Sequence, residues 1–332
     1  MPPPTDAPTD APADGSAPGP LLVIGGAEDK LRKRTILKEF VSACGGAEAR
    51  IALIPTASSL GDEVVEVYDA LFRRLGAGEV VPIRPESREE AHDPDLVKAV
   101  GEATGVFMTG GNQLKLSAII CGTPLGDAIV EAHRRGAVVA GTSAGASIQS
   151  SHMVAFGSGG STPKQRMTQL ASGLGLVKDC VIDQHFAQRN RYGRLLMLVA
   201  QSPDLLGIGV DEDTAAIVRD DRRLEVIGRG AVTIVDGTDM VSNAHEAKRT
   251  EPLLISGAGL HVLPAGTKFD LMKRALVPTG SQLDPAEAEE LEVAGADLRQ
   301  LAADIAAEGV GPSNLRRRRA RATPADREDG SG

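Results

Sequence analysis

Ala137-Val138-Val139-Ala140-Gly141-Thr142-Ser143-Ala144-Gly145-Ala146-Ser147 joins a short apolar run to Gly-x-Ser-x-Gly and then to small residues able to start a helix. This is the strand–turn–helix setting in which a serine becomes a nucleophile. Small residues on both sides of Ser143 let strand and helix approach closely at a sharp bend. The bend exposes the hydroxyl, and the amide of Ala144, at the start of the new helix, can face a developing oxyanion. A glycine-rich turn that happens to hold a serine has the same letters. The nucleophile reading therefore depends on a base supplied from elsewhere in the chain.

Composition sets the limits of that search. A chain of 332 residues can bury a large core, and a net charge of −9 argues against nucleic acid as a main partner. Cys44, Cys121 and Cys180 are too few and too far apart for a disulfide framework or a metal site, and they suit reduced core thiols. Residues 1–19 are rich in Pro, Ala, Asp and Thr and lack the basic and apolar regions of a signal peptide, so a disordered tail is expected there. No apolar run is long enough to span a membrane; a cytoplasmic protein without a membrane partner is expected.

Working outward from Ser143, apolar strands alternate with amphipathic helices. Strands are expected at Leu21–Ile24, Ile51–Ile54, Val80–Ile83 and Val106–Met108, with helices at Arg34–Ala43, 62–75, Asp95–Val100, Gln113 to about Cys121, and 124–135. The pattern predicts an α/β fold with a mainly parallel sheet and helices on both faces. In such sheets the ligand site lies beyond the carboxyl ends of the strands, where Gly25-Gly26, Pro55–Ser58, Gly110–Gln113 and Gly141–Gly145 all fall. Later come a Gly/Ser-rich loop at 157–169 and strands at Cys180–Ile182 and Leu205–Val210. Short β-type runs at Ala216–Val218, Leu224–Ile227, Val232–Val235 and Leu260–Leu263 are expected to finish the sheet as antiparallel strands. The catalytic domain is read as 20–280. A helical extension follows at 281–309, with Asp284-Pro285 at its start, and then a basic, polar, disordered tail at 310–332.

Six histidines compete to be the base. His133 lies beside Arg134 and Arg135 and reads as surface, while His92 and His245 sit in polar segments and His261 begins a late β-type run. Nine helical residues would place His152 about 13 Å from Ser143 along a helix axis. His185 follows a buried strand at the edge where the crevice is expected. The orienting acid is expected from a third strand end, where Asp211-Glu212-Asp213 offers three carboxylates; alternation sets Glu212 opposite its neighbours without saying which side faces His185. The order Ser, His, acid differs from the Ser, acid, His of an α/β-hydrolase.

Taken together, Gly25–Lys30, Thr109–Gln113, Gly141–Ser147, Asp183–Phe186 and Gly209–Thr214 resemble the serine peptidase family that holds the cyanophycinases and the aspartyl dipeptidases. The resemblance spans about Leu21 to Pro278. It implies a class I glutamine amidotransferase-like (flavodoxin-like) fold and a homodimer. It implies a Ser143–His185–Glu212 triad with the amides of Gly111 and Ala144 as oxyanion hole, and no metal or cofactor. It also implies a substrate site lined by Gln113, Asp183, Gln184, Arg189, Arg191 and Arg194. The substrate implied is cyanophycin, a polyaspartate carrying arginine on each β-carboxyl, released as β-Asp-Arg dipeptides. The arginines would grip carboxylates as bidentate forks and Asp183 would receive the substrate's arginine. The alternatives are an aspartyl dipeptidase acting on Asp-X dipeptides and a non-catalytic binder of β-aspartyl peptides.

Overall fold

Leu21–Ile24 (β1) is buried on both faces, and the computed structural model shows why: it lies inside a nine-stranded sheet. The structure describes residues 17–278, apart from Asp221 and Arg249. In chain order there follow α1 (Thr35–Ala43), β2 (Arg50–Ile54), α2 (Asp62–Arg74), β3 (Glu79–Pro82), α3 (Pro94–Gly101) and β4 (Gly105–Met108). Next come α4 (Gln113–Ile120), α5 (Pro124–Arg134), β5 (Val138–Thr142) and α6 (Ala144–Ser147). Then the chain forms β6 (His152–Gly157), β7 (Thr168–Ser172), β8 (Cys180–Gln184), α7 (Tyr192–Gln201), β9 (Leu206–Val210), β10 (Thr214–Arg219) and β11 (Arg223–Gly228). The last elements are β12 (Ala231–Asp236), β13 (Val241–Ser242), β14 (Ile255–Ser256), β15 (Gly259–Pro264), β16 (Lys268–Asp270) and β17 (Ala275–Leu276).

The sheet order is β17-β16-β11-β10-β1-β5-β4-β2-β3, and the five strands from β1 to β3 run parallel. β5, the last of these five in sequence, slots between β1 and β4. The segments leaving the carboxyl ends of all three strands therefore meet in one place. Alternation sends Leu22, Ile24, Leu53 and Phe107 to one face, where Phe40 of α1 and Tyr68 and Phe72 of α2 cover them. Phe40, Tyr68, Phe72 and Phe107 form an aromatic cluster with ring centroids 4.9–5.6 Å apart. The opposite face, with Val23, Ile54, Met108 and Val139, packs against α4, α5 and α6. Three helix starts follow local rules: Asp93, Asn112 and Thr123 cap α3, α4 and α5 with their side chains, and prolines open α3 and α5.

The late strands do not finish one sheet. β10, β11, β16 and β17 extend it antiparallel, whereas β8, β9, β12 and β15 form a separate four-stranded sheet in the order β15-β12-β9-β8. Val232–Val235 and Leu260–Leu263 belong to this second sheet. Its apolar residues Ile182, Ile208, Val210 and Ile234 join the core on the α4–α6 side, and α7 covers its other face. The chain crosses from second sheet to first between β9 and β10, at Asp211-Glu212-Asp213.

Smaller differences have local causes. The helix after Ser143 is one turn long, and His152 opens β6 of a β6–β7 hairpin, so its exclusion as base does not rest on helical rise. His133 is buried, not on the surface, and its carbonyl accepts from the amide of Gly19 at 2.8 Å. The chain is thus anchored just before β1, inside the segment expected to be a tail. The expected helix at 281–309, the tail at 310–332 and residues 1–16 lie outside the described residues. Among the described residues no helix is long and apolar enough to cross a membrane.

Candidate active site

Ser143 sits at the bend between β5 and α6 with φ 53° and ψ −107°, a conformation an L-residue adopts only under constraint. The constraint is packing. A Cβ on Gly141 would meet the Gly145 carbonyl oxygen at 1.9 Å, and one on Gly145 would meet that of Met108 at 2.2 Å. The Ser143 amide is tied to the Ile24 carbonyl at 2.9 Å. With strand, bend and neighbouring strand fixed, the hydroxyl projects into the crevice.

His185, at the end of β8, receives that hydroxyl: Ser143 Oγ lies 2.9 Å from His185 Nε2. Its backbone is also left-handed (φ 47°), with its amide donating to Gly25 O at 2.8 Å. Gly26 makes room for the ring, since a Cβ there would lie 2.3 Å from His185 Cε1. His185 Nδ1 is 2.6 Å from Glu212 Oε1. A carboxylate only accepts, so this contact fixes the proton on Nδ1 and leaves the Nε2 lone pair toward Ser143. Burial, together with the Arg189 and Arg191 cations, holds His185 below its ordinary pKa against the opposing pull of Glu212. The imidazole is therefore neutral at neutral pH.

The three carboxylates that sequence left open divide cleanly. Asp211 accepts from the amides of Ala187 (3.0 Å) and Ala231 (3.2 Å), and Asp213 accepts from that of Asp29 (2.8 Å). Glu212 alone of the three reaches His185. Both strand-end neighbours are committed to the backbone of the loops they join.

Gly110 borders Ser143, since a Cβ there would stand 3.2 Å from Ser143 Cβ; Gly111 (φ 143°) would place a Cβ 1.9 Å from Ala57 O. This sets the Gly110 backbone beside Ser143, with Gly111 packed against the Ala57-Ser58 backbone. With only one turn of helix behind it, Ala144 gains little from a helix dipole. Gln113 Nε2 donates to Val154 O at 3.1 Å, and Gln184 Oε1 lies 3.5 Å from Ser143 Oγ.

The arginines do not behave alike. Asp183 is fully buried and both its oxygens are occupied: Arg194 Nε donates to Oδ2 at 2.5 Å, Arg194 Nη2 donates to Oδ1, and Arg191 Nη1 donates to Oδ1 at 3.2 Å. Arg194 also donates to Gly157 O at 3.0 Å and is 2% exposed. Asp183 and Arg194, expected to line the substrate site, form a buried ion pair joining β8, α7 and the β6–β7 hairpin. The cause is β-alternation: a residue two before His185 on β8 shares its face only if the strand runs on straight, and His185 has turned into left-handed backbone. Arg191 is buried as well. It donates to the carbonyl and the side-chain oxygen (3.1 Å) of Gln184, and burial brings its pKa down to about 10. Arg189 is exposed beside His185.

A group that the sequence reading missed adjoins Ser143. Glu28 is buried, with Lys30 Nζ at 2.7 Å, the Tyr68 hydroxyl on the same oxygen, and Thr142 Oγ1 donating at 2.6 Å to the other. Burial works to raise its pKa, but Lys30 and the three hydrogen bonds win and keep it below the usual carboxylate range. The available signal was position: Glu28 and Lys30 directly follow β1, one of the two strands flanking β5. Among the described residues no group of His, Cys, Asp and Glu is placed to hold a metal ion.

Fold and site define a class: an α/β protein with a strained serine, a neutral histidine and a carboxylate in line across the corner of two sheets. The chain belongs to peptidase family S51, whose family model matches residues 21–226; it is a peptidase and hence a hydrolase. It is 41% identical to the cyanophycinase of Nostoc sp. over 78% of this chain and 87% of that protein. It is 40% identical to the cyanophycinase of Geminocystis herdmanii over 75% and 93%, respectively. The crystal structure of a peptidase from an acI-B1 Actinobacterium superposes with a TM-score of 0.57 at 24% identity, covering 76% of this chain and 97% of that one, and shares the fold.

Proposed function

We propose that this chain is a serine exopeptidase that hydrolyses cyanophycin to β-Asp-Arg dipeptides through an acyl-enzyme. The observation that carries the reading is the continuous line from Ser143 Oγ through His185 (2.9 Å) to Glu212 (2.6 Å). Ser143 Oγ attacks an aspartyl carbonyl as its proton passes to His185 Nε2. Glu212 steadies the imidazolium so formed, and the amides of Ala144 and Gly111 receive the oxyanion. The imidazolium then protonates the departing amine. Water, deprotonated by the same nitrogen, cleaves the ester and returns Ser143. Arg189, Gln113 and Gln184 are the substrate contacts of this reading, with Arg191 steadying Gln184. Asp183 and Arg194 support them from below.

The kinship with cyanophycinases of about 40% identity, over most of both chains, supports the substrate. A class I glutamine amidotransferase-like fold, supported by the elbow after β5, belongs to the same reading, as do a homodimer and a cytoplasmic location. The exposed Leu260 and Val262 of β15 offer an apolar edge for a second copy, which sedimentation will test. The deciding experiment incubates the protein with cyanophycin and, separately, with α-Asp dipeptides, and identifies the products by mass. β-Asp-Arg from the polymer, absent with Ser143→Ala, is expected. Turnover of α-Asp dipeptides with the polymer untouched overturns the reading in favour of an aspartyl dipeptidase.

A further inference from the structure

A cavity of about 330 Å³ opens at Ser143 and runs outward along α2. Its chemistry is graded. At the inner end stands Lys30, held rather than swinging: its ammonium is bonded to buried Glu28 and lies 5.2 Å from the Tyr68 ring centroid. The loop that carries it is fixed too. Asp29 accepts from the amides of Leu31, Arg32 and Arg34, and its own amide is tied to Asp213, next to Glu212. The Lys30 side chain lines the cavity and is about a third exposed. Along the wall lie Leu60 and Val67, 60% and 51% exposed, with Val64 beside them. Glu63 stands on the same helix face as Val67, four residues earlier, and its carboxylate is exposed.

Cation, apolar wall, anion is the complement of one chemical group: an arginine with a free α-carboxylate. Resting on the cyanophycin reading above, we propose that this cavity binds the arginyl branch of the aspartyl unit that Ser143 attacks. The branch leaves that unit at the β-carboxyl, three bonds from the scissile carbonyl carbon, so it must start beside Ser143. Its carboxylate carbon lies six bonds from that carbonyl carbon and meets Lys30. The three methylenes follow the Leu60–Val64–Val67 wall, and the guanidinium reaches Glu63. The exposure of two large apolar side chains next to the nucleophile then has a use. Glu28 acts through Lys30 as a positioning residue: it keeps the ammonium charged and aimed while spending its own acceptors inside the fold.

The test uses short synthetic β-Asp-Arg oligomers altered at the attacked unit, with the arginyl carboxylate as carboxamide or arginine replaced by uncharged citrulline. With the wild-type protein the carboxamide is expected to lower kcat/KM about 10- to 100-fold and citrulline about fivefold, the latter less because Glu63 is exposed. Lys30→Met is expected to lose about as much on the parent oligomer and nothing further on the carboxamide. Glu63→Gln, a surface change that does not threaten folding, is expected to stop distinguishing arginine from citrulline. Wild-type cleavage of the carboxamide within twofold of the parent overturns the subsite and leaves the cyanophycin reading standing. So does a Glu63→Gln protein that discriminates as the wild type does. Failure of the wild type to cleave any oligomer overturns both.

Discussion

Replacing Asp183 with asparagine separates a structural from a substrate-contacting role, because the structure sets a magnitude for each. The carboxylate is fully buried and is the shared anion of Arg194, itself 2% exposed, and of Arg191. Asparagine keeps the shape but leaves two buried guanidiniums without their counter-charge. Removing one partner of a buried pair costs about 3–5 kcal/mol. At about 2–4 °C per kcal/mol for a chain of this size, the expected fall in Tm is roughly 6–20 °C. Urea unfolding and a thermal scan read it directly, and partial recovery of stability is expected where Asp183→Leu is combined with Arg194→Met, since an apolar pair can replace a buried ionic one at small cost while Arg191 still lacks its anion. A substrate-facing Asp183 would instead raise KM and leave stability alone. A Tm within about 2 °C of wild type refutes the buried-pair argument.

Four further outcomes are expected. Ser143→Ala keeps the fold, because alanine bears the same left-handed strain, and lowers turnover by a factor on the order of 10⁴–10⁶; adding His185→Ala makes it little worse, as product analysis with quantified burst and steady state will check. His185 must be neutral to act, and its pKa is depressed, so the acid limb of activity is expected at lower pH than an ordinary histidine would give. Arg189→Ala removes a nearby cation that opposes the imidazolium, so its pKa rises and the acid limb of kcat/KM moves to higher pH; a small ester without carboxylates isolates this effect from substrate binding, and an unmoved limb contradicts it. Gly26→Ala puts a methyl 2.3 Å from the His185 ring at a φ of 103° and is expected to cost on the order of 100-fold in kcat together with a loss of stability from the strained backbone, measured by paired kinetics and unfolding curves.

Much of this was legible in the sequence because it is local. The elbow could be read because Gly141, Ser143 and Gly145 each answer a demand within a few residues: close backbone approach on either side of a strained turn. Period-two and helical patterns located the five parallel strands and the helices between them, since a buried strand and an amphipathic helix each carry their environment in their own residues. His185 could be singled out because it ends a buried run at the sheet edge where the crevice lies.

What tertiary structure decided are the matters that depend on where one segment lies relative to another far away in sequence. The letters of β8, β9, β12 and β15 say strand; they do not say which sheet, because any apolar strand can hydrogen-bond to any other with a free edge. That choice sets the site, for Ser143 leaves one sheet, His185 the other, and Glu212 lies where the chain crosses between them. The same is true of charge. Arg189, Arg191 and Arg194 look alike in sequence, and only the packing of α7 against β8 separates an exposed guanidinium from one locked to Asp183. Glu28 and Lys30 likewise gain their meaning from Tyr68 and Thr142, 40 and 114 residues from Glu28, because a buried carboxylate is stable only where distant donors converge on it.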